Sequence, residues 1–149
     1  MNKDEIKNLA LKVLEDGYLM SLGTVDEGGV WVADVIYIHD ENLNLYWLSF
    51  PHARHSKAIE SNKKVACSVT TSWETGKERA LQIEGVAEKV EGPLFDYEKK
   101  LASKRGMKIP EVAGKVLEDG HSWYILRPTK VELIHNEPFG YKKQIIDLG

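Results

Sequence analysis

The chain has 149 residues, 42% apolar and 29% charged, with a formal net charge of −3, which fits one globular domain, residues 1–149, with a sizeable core. That balance lacks the basic face that indiscriminate nucleic-acid binding needs. The single cysteine, Cys67, excludes an internal disulfide framework and a Cys-rich zinc site.

Residues 4–16 place Ile6, Leu9, Ala10, Val13 and Leu14 on one helical face, and Gly17 stands where that helix should end. Strands are expected at 18–25, 30–38 and 43–50, separated by the turns D-E-G-G (26–29) and H-D-E-N (39–42). A short helix fits 55–61. A fourth strand fits 64–73, and the turn E-T-G-K (75–78) leads to a long fifth strand, 79–90, in which Gly85 marks a bulge or a close backbone approach. Helices are expected at 93–105 and 110–118, and strands at 122–126 and 130–135. Short turns between successive strands imply a mainly antiparallel sheet, closed as a barrel or stacked as a sandwich. The hexapeptide K-V-L-E-D-G occurs at 12–17 and at 115–120; nothing else aligns between the halves, so it reads as one helix ending used twice. No apolar run approaches the roughly 20 residues that cross a membrane, and M-N-K-D-E opens no signal region, so a cytoplasmic protein is expected.

Arg54, His55, Ser56 and Lys57 stand in four consecutive positions between two strands. A helix beginning there would aim free N–H groups at whatever lies ahead of it. A phosphate would accept those N–H groups, the Ser56 hydroxyl and the Arg54 fork, with His55 and Lys57 adding donors. A solvated helix start is the other reading, and spacing alone leaves both open. The pair His52 and His55 lacks a third ligand at a standard spacing, so no metal is expected. Trp31, Tyr37, Tyr46 and Trp47 precede the cluster on strands and supply core or a flat wall. Gln82, in A-L-Q-I-E-G-V-A, can both donate and accept, which suits the edge of a flavin or a nucleobase. A Gln turned to solvent is the alternative.

Four blocks in this order resemble the pyridoxamine 5'-phosphate oxidase-like, FMN-binding split-barrel superfamily: G-T-V-D-E-G-G-V-W-V-A-D-V-I-Y (23–37), L-Y-W-L-S-F (45–50), A-R-H-S-K-A-I-E-S-N-K-K-V-A (53–66) and L-Q-I-E-G-V-A-E-K-V (81–90). The ending F-G-Y-K-K-Q-I (139–145) looks most like small bacterial members. The resemblance implies a mainly β fold, a six-stranded antiparallel split barrel with flanking helices. It also implies a homodimer with FMN at the subunit interface. Carried over by position, Arg54 and His55 fall on the phosphate-binding pair, with Ser56 and Lys57 adjacent. Ser49 falls on the hydroxyl residue that ends the preceding strand, with Leu48 beside it. Ala33, Asp34, Val35, Ile36 and Tyr37 fall on the strand that lines the flavin ring.

The chain also departs from the oxidases. They carry an Arg near the start of the ring-lining strand and a Lys near its end, where this chain has Ala33 or Asp34 and Ile38. Their Gln five residues before the strand glycine is Ala80 here, and Gln82, two residues on and on the same face, can stand in for it. Their C-terminal Arg-Leu-His-Asp-Arg element is replaced by E-L-I-H-N-E-P-F-G-Y-K-K (132–143). The expected function is therefore an FMN-dependent oxidoreductase acting on an unidentified small molecule, and not vitamin B6 oxidation. A non-enzymatic module on the same barrel, carrying a flavin, haem or a deazaflavin, is the alternative. No acid–base residue is singled out.

Overall fold

The computed structural model describes all 149 residues. Helix α1 spans Lys3–Asp16. The Asn2 side chain accepts the Glu5 N–H at 2.9 Å and donates to the Glu5 carboxylate at 3.1 Å, which satisfies the exposed start of the helix. Ala10, Val13 and Leu14 are its buried face. Gly17 ends it by donating to the Val13 carbonyl at 2.9 Å.

The strands follow as β1 (Leu19–Asp26), β2 (Gly29–Ile36), β3 (Ile38–His39), β4 (Leu45–Ser49), β5 (Lys64–Ser72), β6 (Arg79–Val90), β7 (Ser122–His135) and β8 (Gln144–Ile145). Helix α2 spans Arg54–Ser61, α3 Phe95–Lys104 and α4 Asn136–Phe139, with a single 3-10 turn at Lys115–Leu117. All strands join one antiparallel sheet in the order β2-β1-β5-β6-β7-β4-β3, with β8 added on β7. Residues alternate across it: in β1, Met20, Leu22 and Thr24 point in, and in β6, Leu81, Ile83 and Gly85 do. The main core lies inside the curl of the sheet and under α1, built on Trp47, Tyr124, Leu22, Leu126 and Leu133. A smaller core of Ile38, Leu101 and Trp123 sits under α3.

Three expectations are corrected. The sheet has eight strands, not six. The six strands of five residues or more are β1, β2, β4, β5, β6 and β7, and the two-residue β3 and β8 are additions. β3 arises because the strand expected to run through Ile38 breaks at Tyr37. The strands expected at 122–126 and 130–135 are one continuous β7. Pro128 does not end it, because Pro128 pairs with Gly85 where the β6–β7 register slips, so its missing N–H falls at an irregularity. At Gly85 a Cβ would lie 2.6 Å from the Arg127 carbonyl oxygen, the close approach expected from the sequence. The helix expected at 110–118 is reduced to the 3-10 turn. Gly114, at φ +87, reverses the chain before it, and the buried Glu98 carboxylate holds the Gly114 N–H at 2.8 Å. The repeated hexapeptide therefore takes two shapes, a helix end at 12–17 and a 3-10 turn at 115–120.

Candidate functional site

β4 ends at Ser49, the chain turns through Phe50–Ala53, and α2 begins at Arg54. Ala53 occupies the N-cap position and offers no side-chain cap. The N–H groups of Arg54, His55 and Ser56 thus leave the helix without an intrahelical acceptor.

Behind them lies a short hydrogen-bonded chain. The Ser56 hydroxyl, fully buried, donates to Ser49 Oγ at 3.3 Å. Ser49 Oγ lies 2.7 Å from His55 Nε2. Burial holds the His55 pKa below its ordinary value, so the ring is neutral near pH 7. When Ser49, itself accepting from Ser56, donates to Nε2, the ring proton sits on Nδ1, which has no protein partner. The Ser49–His55 spacing is that of a nucleophile and its base. Ser49 is buried, however, and no third group holds Nδ1, so the pair reads as a polar floor under the helix start.

Arg54 is held from the side. Its Nε donates to Asp26 Oδ2 at 3.0 Å and its Nη2 to Asp26 Oδ1 at 3.1 Å. Its guanidinium carbon lies 4.6 Å from the centre of the Trp31 ring. Asp26 also accepts the Gly28 N–H at 2.9 Å. The Arg54 hydrogen bond holds the Asp26 carboxyl below its usual range. This arrangement occupies one edge of the guanidinium and leaves Nη1 without a protein partner. The sequence does not single out Asp26, and it offers Trp31 only as core or a flat wall, not as a partner of Arg54. Asp26 ends β1 and Trp31 lies on β2, and only the β1–β2 hairpin folds them onto Arg54.

An aromatic stack borders the same turn. The Phe50 ring lies 3.8 Å from the His121 ring and 5.1 Å from that of His52, with Asp119 2.6 Å from His121 Nδ1. Ser122 pairs with Ser49, which brings this stack to the end of β4.

Ser49, Arg54, His55 and Ser56 therefore meet at one place. The other residues singled out lie around it or apart. Lys57 is exposed on α2. Leu48 points to the opposite face of β4 from Ser49 and packs against the smaller core under α3. On β2, Ala33 is half-buried, Asp34 accepts from Ser21 Oγ at 3.0 Å, Val35 packs on the main core and Ile36 on the smaller one. Tyr37 is fully buried, its hydroxyl donating to the Leu14 carbonyl at 2.7 Å. Gln82 stands on the outer face of the sheet, opposite Ser68 and Glu132, and its Oε1 accepts from Lys143 Nζ at 2.6 Å. It shares an open cleft of about 440 Å³ with Val32 and Ser21.

The donors at the α2 start suit a phosphate dianion: consecutive main-chain N–H groups, the free Arg54 nitrogen and the His55 Nδ1–H. Beside them, the β2 edge presents Val30, Trp31 and Val32, exposed by 76%, 44% and 60%, a surface suited to a flat apolar ring or a partner subunit.

No protein-family model matches the sequence, and no curated protein matches it. Solved structures do. A candidate pyridoxamine 5'-phosphate oxidase from Listeria innocua superposes with a TM-score of 0.67 at 17% identity, over 87% of this chain and 98% of that one. A FAD-binding protein from Mesorhizobium loti gives 0.64 at 17% identity, over 82% and 87%. A haem-binding protein from Mycobacterium smegmatis gives 0.67 at 17% identity, over 95% of this chain but 57% of that longer one. At these identities the likeness establishes the fold alone: the chain has the split-barrel fold of these proteins.

Proposed function

We propose that the chain is an FMN-binding flavoprotein, assembled as a homodimer, that serves as an oxidoreductase for a small molecule. The observation that carries this reading is the uncapped start of α2, where Arg54 and the Ser56–Ser49–His55 chain gather phosphate donors at the end of β4. The similar structures described as a FAD-binding protein and as a candidate pyridoxamine 5'-phosphate oxidase support a flavin on this barrel.

The residues have separable tasks. The α2 N–H groups, Arg54 and His55 would hold the phosphate. Asp26 and Trp31 would fix the direction of the Arg54 fork. The β2 backbone and its apolar side chains would lie along the ring. Bound flavin supplies the hydride and electron chemistry. A second copy would cover the consecutive exposed residues Val30, Trp31 and Val32, which leave this sheet edge open to pairing. Gln82, on the outer face, would then meet the cofactor of the partner copy.

The test is the absorption spectrum of the purified protein, followed by FMN titration of the apoprotein and anaerobic reduction with NADH or NADPH. Flavin bands that bleach on reduction are expected. A colourless protein that takes up no FMN, or one with a Soret band instead, contradicts the reading.

A further inference from the structure

A cleft of about 850 Å³ opens between the C-terminal half of α1, the start of β1, β3 with its following turn, and the last turns of α3. It shares no lining residue with the cluster at the α2 start. Lys104 enters it from α3. Its Nζ donates to the Tyr37 main-chain carbonyl and lies 3.6 Å from the centre of the Tyr37 ring. Of the acidic groups lining the cleft, Asp16 is paired with Lys12 at 3.0 Å, Asp40 with Asn44 at 2.9 Å, Glu15 is turned towards His39 Nε2 at 3.8 Å, and Glu41 makes no ion pair with Lys104. Lys104 is thus an amine on the wall of a cavity, held by a carbonyl and an aromatic face, with no carboxylate partner. Lys100, one turn earlier on α3, lines the same cleft.

We propose that this cleft binds small carbonyl compounds bearing a carboxylate, the class of 2-oxo acids and aldehyde acids, with Lys104 forming a reversible imine and Lys100 holding the carboxylate. The neutral amine attacks the carbonyl carbon, an N–C bond forms, and the C=O π pair moves to oxygen, which takes up a proton. The carbinolamine nitrogen then passes one proton to the hydroxyl, which leaves as water, and the C=N bond forms as the protonated imine, which returns to solvent the proton first taken up by the oxygen. No oxidant or reductant is consumed. Burial favours the neutral amine and lowers the Lys104 pKa to about 8, against a smaller opposing pull from Glu15. His39, which lines the same cleft, is kept below its ordinary pKa chiefly by burial, and it would serve as the proton carrier. The titratable groups that share the cleft with Lys104 or face it are Lys12, Glu15 and Asp16 of α1, Tyr18, Tyr37, His39, Asp40 and Glu41 of the strand side, and Lys100 of α3.

The test is glyoxylate with sodium cyanoborohydride on the intact protein near pH 7.5, the reduced adduct being located by peptide mass spectrometry. Lys104 should be labelled at least about tenfold faster than any other lysine, because a far larger fraction of it is neutral at that pH. The rate should rise with pH and level off above about 8. Lys100→Gln should slow labelling of Lys104 by glyoxylate and leave its labelling by formaldehyde unchanged. Equal labelling of lysines over the surface overturns the proposal, and needs no variant to fold. Glyoxylate labelling that Lys100→Gln does not slow overturns the carboxylate assignment. FMN binding enters none of these readouts.

Discussion

Asp26 and Arg54, 28 positions apart, form a two-point ion pair with contacts of 3.0 and 3.1 Å, which fixes the guanidinium over Trp31 and turns Nη1 outward. If Asp26 positions Arg54 for a phosphate, Asp26→Ala should raise the FMN dissociation constant by about three- to tenfold through lost preorganisation. Arg54→Lys, which keeps the charge and loses the fork, should do the same. Fluorescence titration of the apoprotein measures both. Arg54 lowers the Asp26 pKa below 3.8, so the pair's contribution is present above that value and lost as pH falls through the still lower folded one. FMN affinity should therefore show no titration of Asp26 near neutrality.

Gly85→Ala should be strongly destabilising. The added methyl would sit 2.6 Å from the Arg127 carbonyl oxygen and 2.7 Å from Leu126 Cδ2, and the first of these is backbone that cannot step aside. A loss of about 2–4 kcal/mol is expected by urea denaturation. A loss under about 0.5 kcal/mol would mean that the β6–β7 ladder is looser than described.

Tyr37→Phe separates core from site. It removes the buried hydrogen bond to the Leu14 carbonyl and should cost about 1–2 kcal/mol. Because the Tyr37 side chain lies in the main core, FMN affinity should not change. Unchanged stability with weakened FMN binding would place the phenol in the cofactor site.

Acid should weaken the fold early. His39, His55 and His135 all have pKa values lowered from 6.5, with burial the largest cause in each. Each binds fewer protons folded than unfolded just below 6.5. Their contribution is full above that pH, falls as the pH drops beneath it, and stops falling below the folded values. The melting temperature should therefore drop between about pH 7 and pH 5.5, before ordinary carboxylates titrate. A flat or rising melting temperature over that interval contradicts the buried, neutral placement of these rings.

How much of this was legible depends on distance along the chain. The limits of β6 and the constraint at Gly85 follow from local alternation and a glycine in a strand, and both appear as expected. The continuity of β7 does not, because Pro128 is tolerable only opposite the Gly85 irregularity, a fact of another strand. The α2 start was legible because its cluster is consecutive. The contacts of Asp26 and Trp31 with Arg54 were not, since neither type nor spacing ties them to it until the β1–β2 hairpin forms. Gln82 shows the same limit in reverse: its outward place follows from strand alternation between Leu81 and Ile83, whereas the outward Lys143 beside it comes from the far end of the chain.

Titration of wild-type and Arg54→Ala apoprotein with FMN and with riboflavin decides whether a phosphate-bearing flavin is anchored at the α2 start. FMN should bind wild type more tightly than riboflavin does. Arg54→Ala should raise the FMN dissociation constant by about tenfold to a few hundredfold, the effect of losing one or two charge-assisted hydrogen bonds. Riboflavin, which lacks the phosphate, should shift by less than about twofold, and the fold should survive because Arg54 is exposed. Equal weakening of both ligands, or of neither, would contradict the anchor and leave the cluster a solvated helix start.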